Sequence, residues 1–356
     1  MGCIIWLNLR TSPERNFMAT TVINPSRQFR GLRPLDPRRD LPQVADLIEH
    51  AFSGELDPSG QAVLRELRLM GRLGRVMGLV STLEGGWPGM FGGYVWVEDG
   101  HVVGNVTVQR ADAHARRWQI ANVAVAPEYR GRGIGRMLME AALDHIRAHE
   151  GTWAVLQVRA DNMVARRLYE QLGFEAITES SEMRRDRPPE SPLPVSAPLP
   201  METLSADEWE EVYDLALASL PTLARWWQPP RRHRFQITAD QRLGEWLRRL
   251  IGSERVWRLG IRIGERLVTA VMVRAVRWQP LHRLEMWVHP DHWGKWELSL
   301  VAQTLNFLIG SPAHEIAIHV NTEYTWLVEA LRAVGFRAHR TLVTMRRRIC
   351  QEVKVA

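Results

Sequence analysis

From Asn122 to Ile146 the chain reads NVAVAPEYRGRGIGRMLMEAALDHI: a short apolar strand, a glycine-rich turn and an amphipathic helix in immediate succession. The helix carries a 3.6-residue stripe in Ile134, Leu138, Ala142 and Ile146, with Met137 and Ala141 beside it and Gly151 as its stop. The first amides of a helix have no partner within it, so the N–H groups of Gly131, Arg132, Gly133, Ile134, Gly135 and Arg136 stand free and are backed by the helix dipole. Such an end attracts phosphate. Glycine at 131, 133 and 135 lets a ligand approach the backbone without meeting a Cβ, and Arg130, Arg132 and Arg136 add positive charge. The spacing is neither the dinucleotide fingerprint nor the P-loop, which needs G-K-[ST]. A purely structural tight turn also fits this segment alone.

Outward from this stretch the chain repeats itself. YVWVEDGHVVGNVTVQR (Tyr94–Arg110) reads as a hairpin around Glu98-Asp99-Gly100, and WRLGIRIGERLVTAVMVRA (Trp257–Ala275) has the same form around Gly264-Glu265. Each is followed by a strand ending in V-x-P (Val125-Ala126-Pro127; Val288-His289-Pro290), a helix, a strand (AVLQVRA; EIAIHVN), a second helix and Gly-Phe. Pro127 to Gly173 is 46 positions and Pro290 to Gly335 is 45. Between the copies lies RRDRPPESPLPVSAPLP, whose six prolines from Pro188 to Pro200 forbid a helix and deny a sheet its donors. The expected class is α/β (α+β), two tandem domains, each a mixed, mostly antiparallel sheet flanked by helices. The expected boundaries are an N-terminal extension open to disorder over 1–30, a first domain over 31–184, a Pro-rich linker over 185–202 and a second domain over 203–350.

Arg130-x-x-Gly133-x-Gly135 after V-A-P is similar to the pyrophosphate loop of the GCN5-related N-acetyltransferases. Downstream, VRADNMVARRLYEQLGF (Val158–Phe174) resembles that family's later motif N-x-x-A-x-x-L-Y-x-x-x-G-F. Within the family the likeness is to the ribosomal-protein alanine N-acetyltransferases, through NVAV, RGIGRMLME and VRADN. It covers roughly residues 31–184; the second half follows only in outline, as a degenerate copy. The resemblance implies acetyl-CoA as co-substrate and transfer of its acetyl group to a primary amine by direct attack in a ternary complex. The backbone of Val123, Ala124 and Val125 then runs along the pantetheine arm, with the Val123 N–H at the thioester carbonyl. Arg130, Gly131, Arg132, Gly133, Ile134, Gly135 and Arg136 surround the pyrophosphate. Asn162 contacts the cofactor while also capping its helix, and Tyr169 protonates the departing thiolate or, as a bland alternative, packs against Leu172 and Phe174.

The general base is missing from that scheme. In the alanine acetyltransferases a glutamate stands twelve positions before the tyrosine, and here that position is Gln157, which cannot take a proton. Glu55, Asp57 and His101 are the candidates for a replacement acting through water. About a tenth of an α-amine (pKa ~7.7–8.0) is already neutral at pH 7, against far less than a thousandth of a lysine (~10.4), so loss of the base favours low-pKa amines. Gln157 equally suits a non-catalytic acyl-CoA-binding or scaffold protein.

Composition narrows the remaining classes. The only thiols are Cys3 and Cys350. Two cysteines near the termini build neither a disulfide framework nor a four-ligand zinc site, and no H-E-x-x-H spacing occurs, so no metal is expected. No apolar run reaches the ~18 residues of a membrane span. MGCIIWLNLR is too short for a signal peptide, Met18 is an alternative start, and a cytoplasmic location is expected. The net charge of +6 permits polyanionic partners, but no nucleic-acid motif supports them. The acceptor, a small molecule or a protein N-terminus, stays open, as does oligomeric state.

The second half holds ten of the fifteen tryptophans. At its loop HPDHWGKWELSL, Trp293, Trp296 and Leu298 replace Arg130, Gly133 and Gly135, which blocks a pyrophosphate. A large aromatic core, or a pocket wall completing the first half, are the two uses such tryptophans have.

Overall fold

The computed structural model describes residues 29–51, 64–65, 68–69, 92–111, 116–195 and 197–349. Glu55, Asp57, both cysteines and the extension up to residue 28 lie outside the described residues. The first half contributes β1 (Gly31–Pro34), β2 (Gly92–Glu98), β3 (His101–Arg110), β4 (Arg117–Val125), β5 (Trp153–Arg159) and β6 (Glu175–Arg185). The second contributes β7 (Glu202–Thr203), β8 (Glu254–Ile263), β9 (Arg266–Val276), β10 (Leu281–Val288), β11 (Glu315–Asn321) and β12 (Arg337–Arg348).

Together they form one 12-stranded sheet in the order β1-β2-β3-β4-β5-β12-β6-β11-β10-β9-β8-β7. Only β4–β5 and β10–β11 pair in parallel; the other neighbours are antiparallel. The two halves trade their last strands. β12 lies against β5, with Thr344 opposite Gln157, while β6 lies against β11, with Met183 opposite Ile318. Each half's sheet is therefore completed by the other.

Alternation along β2 explains how the sheet is covered. Val95 and Val97 face a core with Leu41, Val44 and Ile48 of the helix Pro37–Ala51, while Tyr94 and Trp96 pack toward the opposite core under the helix Ile134–Ala148. That second helix buries Ile134, Leu138, Met139, Ala142, Leu143 and Ile146. The stripe thus leans toward Met139 and Leu143, and Met137 and Ala141 are only half-buried. Glu150 takes the left-handed position after the helix (φ 56), and Gly151 serves close packing: a Cβ there would sit 2.3 Å from Ile146.

The proline-rich connection is docked on the second half. The Leu193 and Leu199 N–H groups donate to Asn306 Oδ1 (2.8 Å) and Gln303 Oε1 (2.9 Å) of the helix Glu297–Asn306, and both leucines pack on the second core. That core is aliphatic, around Leu284, Leu300, Leu305, Ile316 and Ile318. Of the second half's tryptophans only Trp227 is fully buried and Trp246, Trp278 and Trp326 are exposed; Trp257, Trp293 and Trp296 pack half-buried against the aliphatic core, so the tryptophans flank that core rather than form it. Trp209 and Trp287 line cavities instead.

Candidate functional site

β4 and β5 pair only from Arg117/Trp153 to Ile120/Leu156 and then part. A distortion lies on the other edge of β4. Its register with β3 jumps between Asn105–Ala124 and Thr107–Ala121, which leaves Asn122 and Val123 as a bulge. Asn122 adopts a left-handed conformation (φ 52), one that asparagine tolerates better than most residues. Asn105, fully buried, donates from Nδ2 to the Asn122 carbonyl at 2.9 Å, and Asn122 Nδ2 donates to Thr107 Oγ1 at 3.0 Å. These contacts hold Val123 at the mouth of the opening. Asn105 has no signal in the sequence, since a lone polar residue in an apolar strand carries no motif.

The turn after β4 is open. Gly131 (φ 75) and Gly133 (φ 79) both need the left-handed region, and a Cβ on either would meet nothing within 4 Å. The helix Ile134–Ala148 has no side-chain cap, and the amides from Gly131 to Arg136 find no acceptor among the described residues. Gly135 differs: a Cβ there would make ordinary contact with Leu168 at 3.6 Å. Arg130 Nε donates to the Val125 carbonyl (3.1 Å), Arg132 reaches the Glu128 carbonyl (3.1 Å) and lies over the Tyr129 ring, and Arg136 reaches Gln171 Oε1 (2.6 Å). Free amides, open space and three tethered guanidinium groups fit a pyrophosphate.

Asn162 Oδ1 accepts from the Ala165 N–H at 3.1 Å and caps the helix Met163–Gln171. Tyr169, on that helix, is 6% exposed and its ring lies 6.1 Å from that of Phe174, the packing that its bland alternative describes. Burial pushes its phenol up to about 12, which keeps it protonated at any physiological pH. Gln157 is half-buried on β5 and donates to Thr344 Oγ1 of β12 at 3.3 Å. The position of the absent base is thus furnished by both halves. His101 stands exposed at the β2–β3 turn.

The corresponding turn of the second half is filled from within. Glu297, buried, accepts from the Gly294 N–H (2.8 Å), the Trp296 N–H (3.1 Å) and the Tyr324 hydroxyl (2.7 Å). Its carboxylate occupies the amides that correspond to those of Gly131 and Gly133. Trp293 donates to the Val288 carbonyl (3.0 Å), as Arg130 does to Val125, and stacks on Tyr324 at 4.8 Å. A Cβ on Gly294 would already lie 3.0 Å from Trp326.

Residues 73–174 match the acetyltransferase (GNAT) family model. The fold is that of tandem GNAT proteins. A GCN5-related N-acetyltransferase from Sphaerobacter thermophilus aligns at TM-score 0.58 and 16% identity over 91% of this chain and 97% of its own. A tandem GNAT protein from the clavulanic acid biosynthesis pathway aligns at TM-score 0.55 and 18% identity over 90% and 99%. Among curated relatives, [ribosomal protein bS18]-alanine N-acetyltransferase of Salmonella typhimurium is 44% identical over 57 residues, 16% of this chain and 38% of its own length. Mycothiol acetyltransferase of Nocardiopsis dassonvillei is 50% identical over 52 residues, 15% and 16% respectively. The chain thus spans well under half the length of these curated relatives. No helix among the described residues is long and apolar enough to cross a membrane.

Proposed function

We propose that the first half transfers an acetyl group from acetyl-CoA to a primary amine. The observation that carries this reading is the run of unpaired amides from Gly131 to Arg136, set at the end of a strand that has parted from its neighbour. Acetyl-CoA supplies an activated thioester. The Val123 N–H stabilises negative charge as it develops on the carbonyl oxygen. Asn105, by fixing the bulge, positions that amide. The amine forms the new C–N bond, the C–S bond breaks, and one proton passes from nitrogen to sulfur. A phenol near 12 is a weak acid beside a thiol, so Tyr169 donates a hydrogen bond to the departing sulfur while the amine's own proton completes the transfer.

Gln157 leaves deprotonation to the solvent, which favours acceptors of low pKa such as α-amines. The alanine nitrogen of a ribosomal protein, the group in the name of the Salmonella typhimurium relative, belongs to that class. Release of free coenzyme A with a panel of amines tests the proposal: turnover fastest for α-amines is expected. The rival reading, a non-catalytic acyl-CoA-binding module, is favoured by Gln157 and requires tight cofactor binding without release on any amine.

A further inference from the structure

A cleft of about 800 Å³ lies between the halves, lined by the adjoining ends of β3 and β4, by the segment from Leu220 to Phe235, and by β10 and β11. Five arginines line it, Arg110, Arg117, Arg231, Arg234 and Arg283, against one carboxylate among the described lining residues, Glu285. Arg262, outside the cleft, holds three carboxylates, those of Glu202, Glu208 and Glu211. In the cleft Arg234 lies 3.7 Å from Glu285, whereas Arg231 and Arg283 have no acidic partner among the described residues. Arg117 is fixed by the Trp226 carbonyl and lies 5.3 Å over its ring. Trp227, Phe235 and Trp287 supply apolar wall.

Guanidinium groups that line one cleft favour an anion between them, and their planar forks suit carboxylate and phosphate oxygens. The volume falls in the range of roughly 300–1,000 Å³ typical of small-molecule sites, whereas a nucleic acid needs an extended basic track. Gln119, which lines the cleft, precedes Val123 by four residues on β4, or about 13 Å at ~3.3 Å per residue.

We propose that the cleft binds a small molecule bearing two or more carboxylate or phosphate groups, oriented with its amine toward the Val123 end of β4. The orientation rests on the acetyl-transfer reading; the binding does not. Citrate and fructose 1,6-bisphosphate, titrated calorimetrically into the full chain at low salt, serve as carboxylate and phosphate probes. At least one should bind at one site per chain, weakened about tenfold or more by Arg231→Ala/Arg283→Ala and unchanged by Gly133→Trp. Failure of both probes to bind, or equal binding to the double arginine variant, overturns the assignment. With the cleft saturated by whichever probe binds, coenzyme A should show the reverse pattern. Its retention by Gly133→Trp would sink the acetyl-transfer reading while leaving the cleft assignment to stand on the two probes.

Discussion

The Tyr169 phenol is raised to about 12 in the folded chain against about 10 when unfolded, so its contribution to stability is complete below pH 10 and fades as pH rises toward 12. Tyr169→Phe keeps the ring against Phe174 and, by removing one hydrogen bond to charge developing on sulfur, should lose rate by ~10²–10³ with little change in cofactor affinity. It should also soften the alkaline loss of melting temperature between about pH 10 and 12. A variant at full rate would assign the tyrosine to packing alone. Glu297, by contrast, serves the fold. Its removal in Glu297→Ala strands the Gly294 and Trp296 amides and the Tyr324 hydroxyl, at about 2–3 kcal/mol measurable by denaturation. Acetyl transfer should survive it, and coenzyme A should still find no second site, because Trp293 and Trp326 continue to fill the space.

At the scale of elements, what is legible in the sequence is local. The turn from Gly131 to Gly135 and the Asn162 cap are written in neighbouring residues: glycines where the backbone turns left-handed, and an asparagine three positions before the amide it caps. The bulge at Asn122 is not, because it depends on Asn105 seventeen positions away. Glu297 hides behind its tryptophan neighbours, although an acidic residue opening a helix directly after a turn is a usable sign of self-capping. The exchange of β6 and β12 leaves no trace in composition or periodicity, since either strand would alternate the same way against any partner. Its consequence is testable. A chain ending at Gly335 lacks β12, which exposes β5 and β6 edges on both sides of the gap. Such a chain should lose coenzyme A binding although every residue of the glycine turn is present; full affinity would mean that the first half's sheet closes without help.

Over the whole molecule, the shared sheet makes one folding unit of two related halves, and calorimetric heating of the full chain should give a single cooperative transition. The two glycine turns differ: among the described residues Gly131 and Gly133 face space, while the Gly294 and Trp296 amides already bind Glu297. Titration of coenzyme A into the full chain, alone and as Gly133→Trp, reads this difference directly. One equivalent should bind to the natural sequence and none to the variant, with the variant's melting transition still cooperative. Two equivalents, or one that persists in Gly133→Trp, would contradict it.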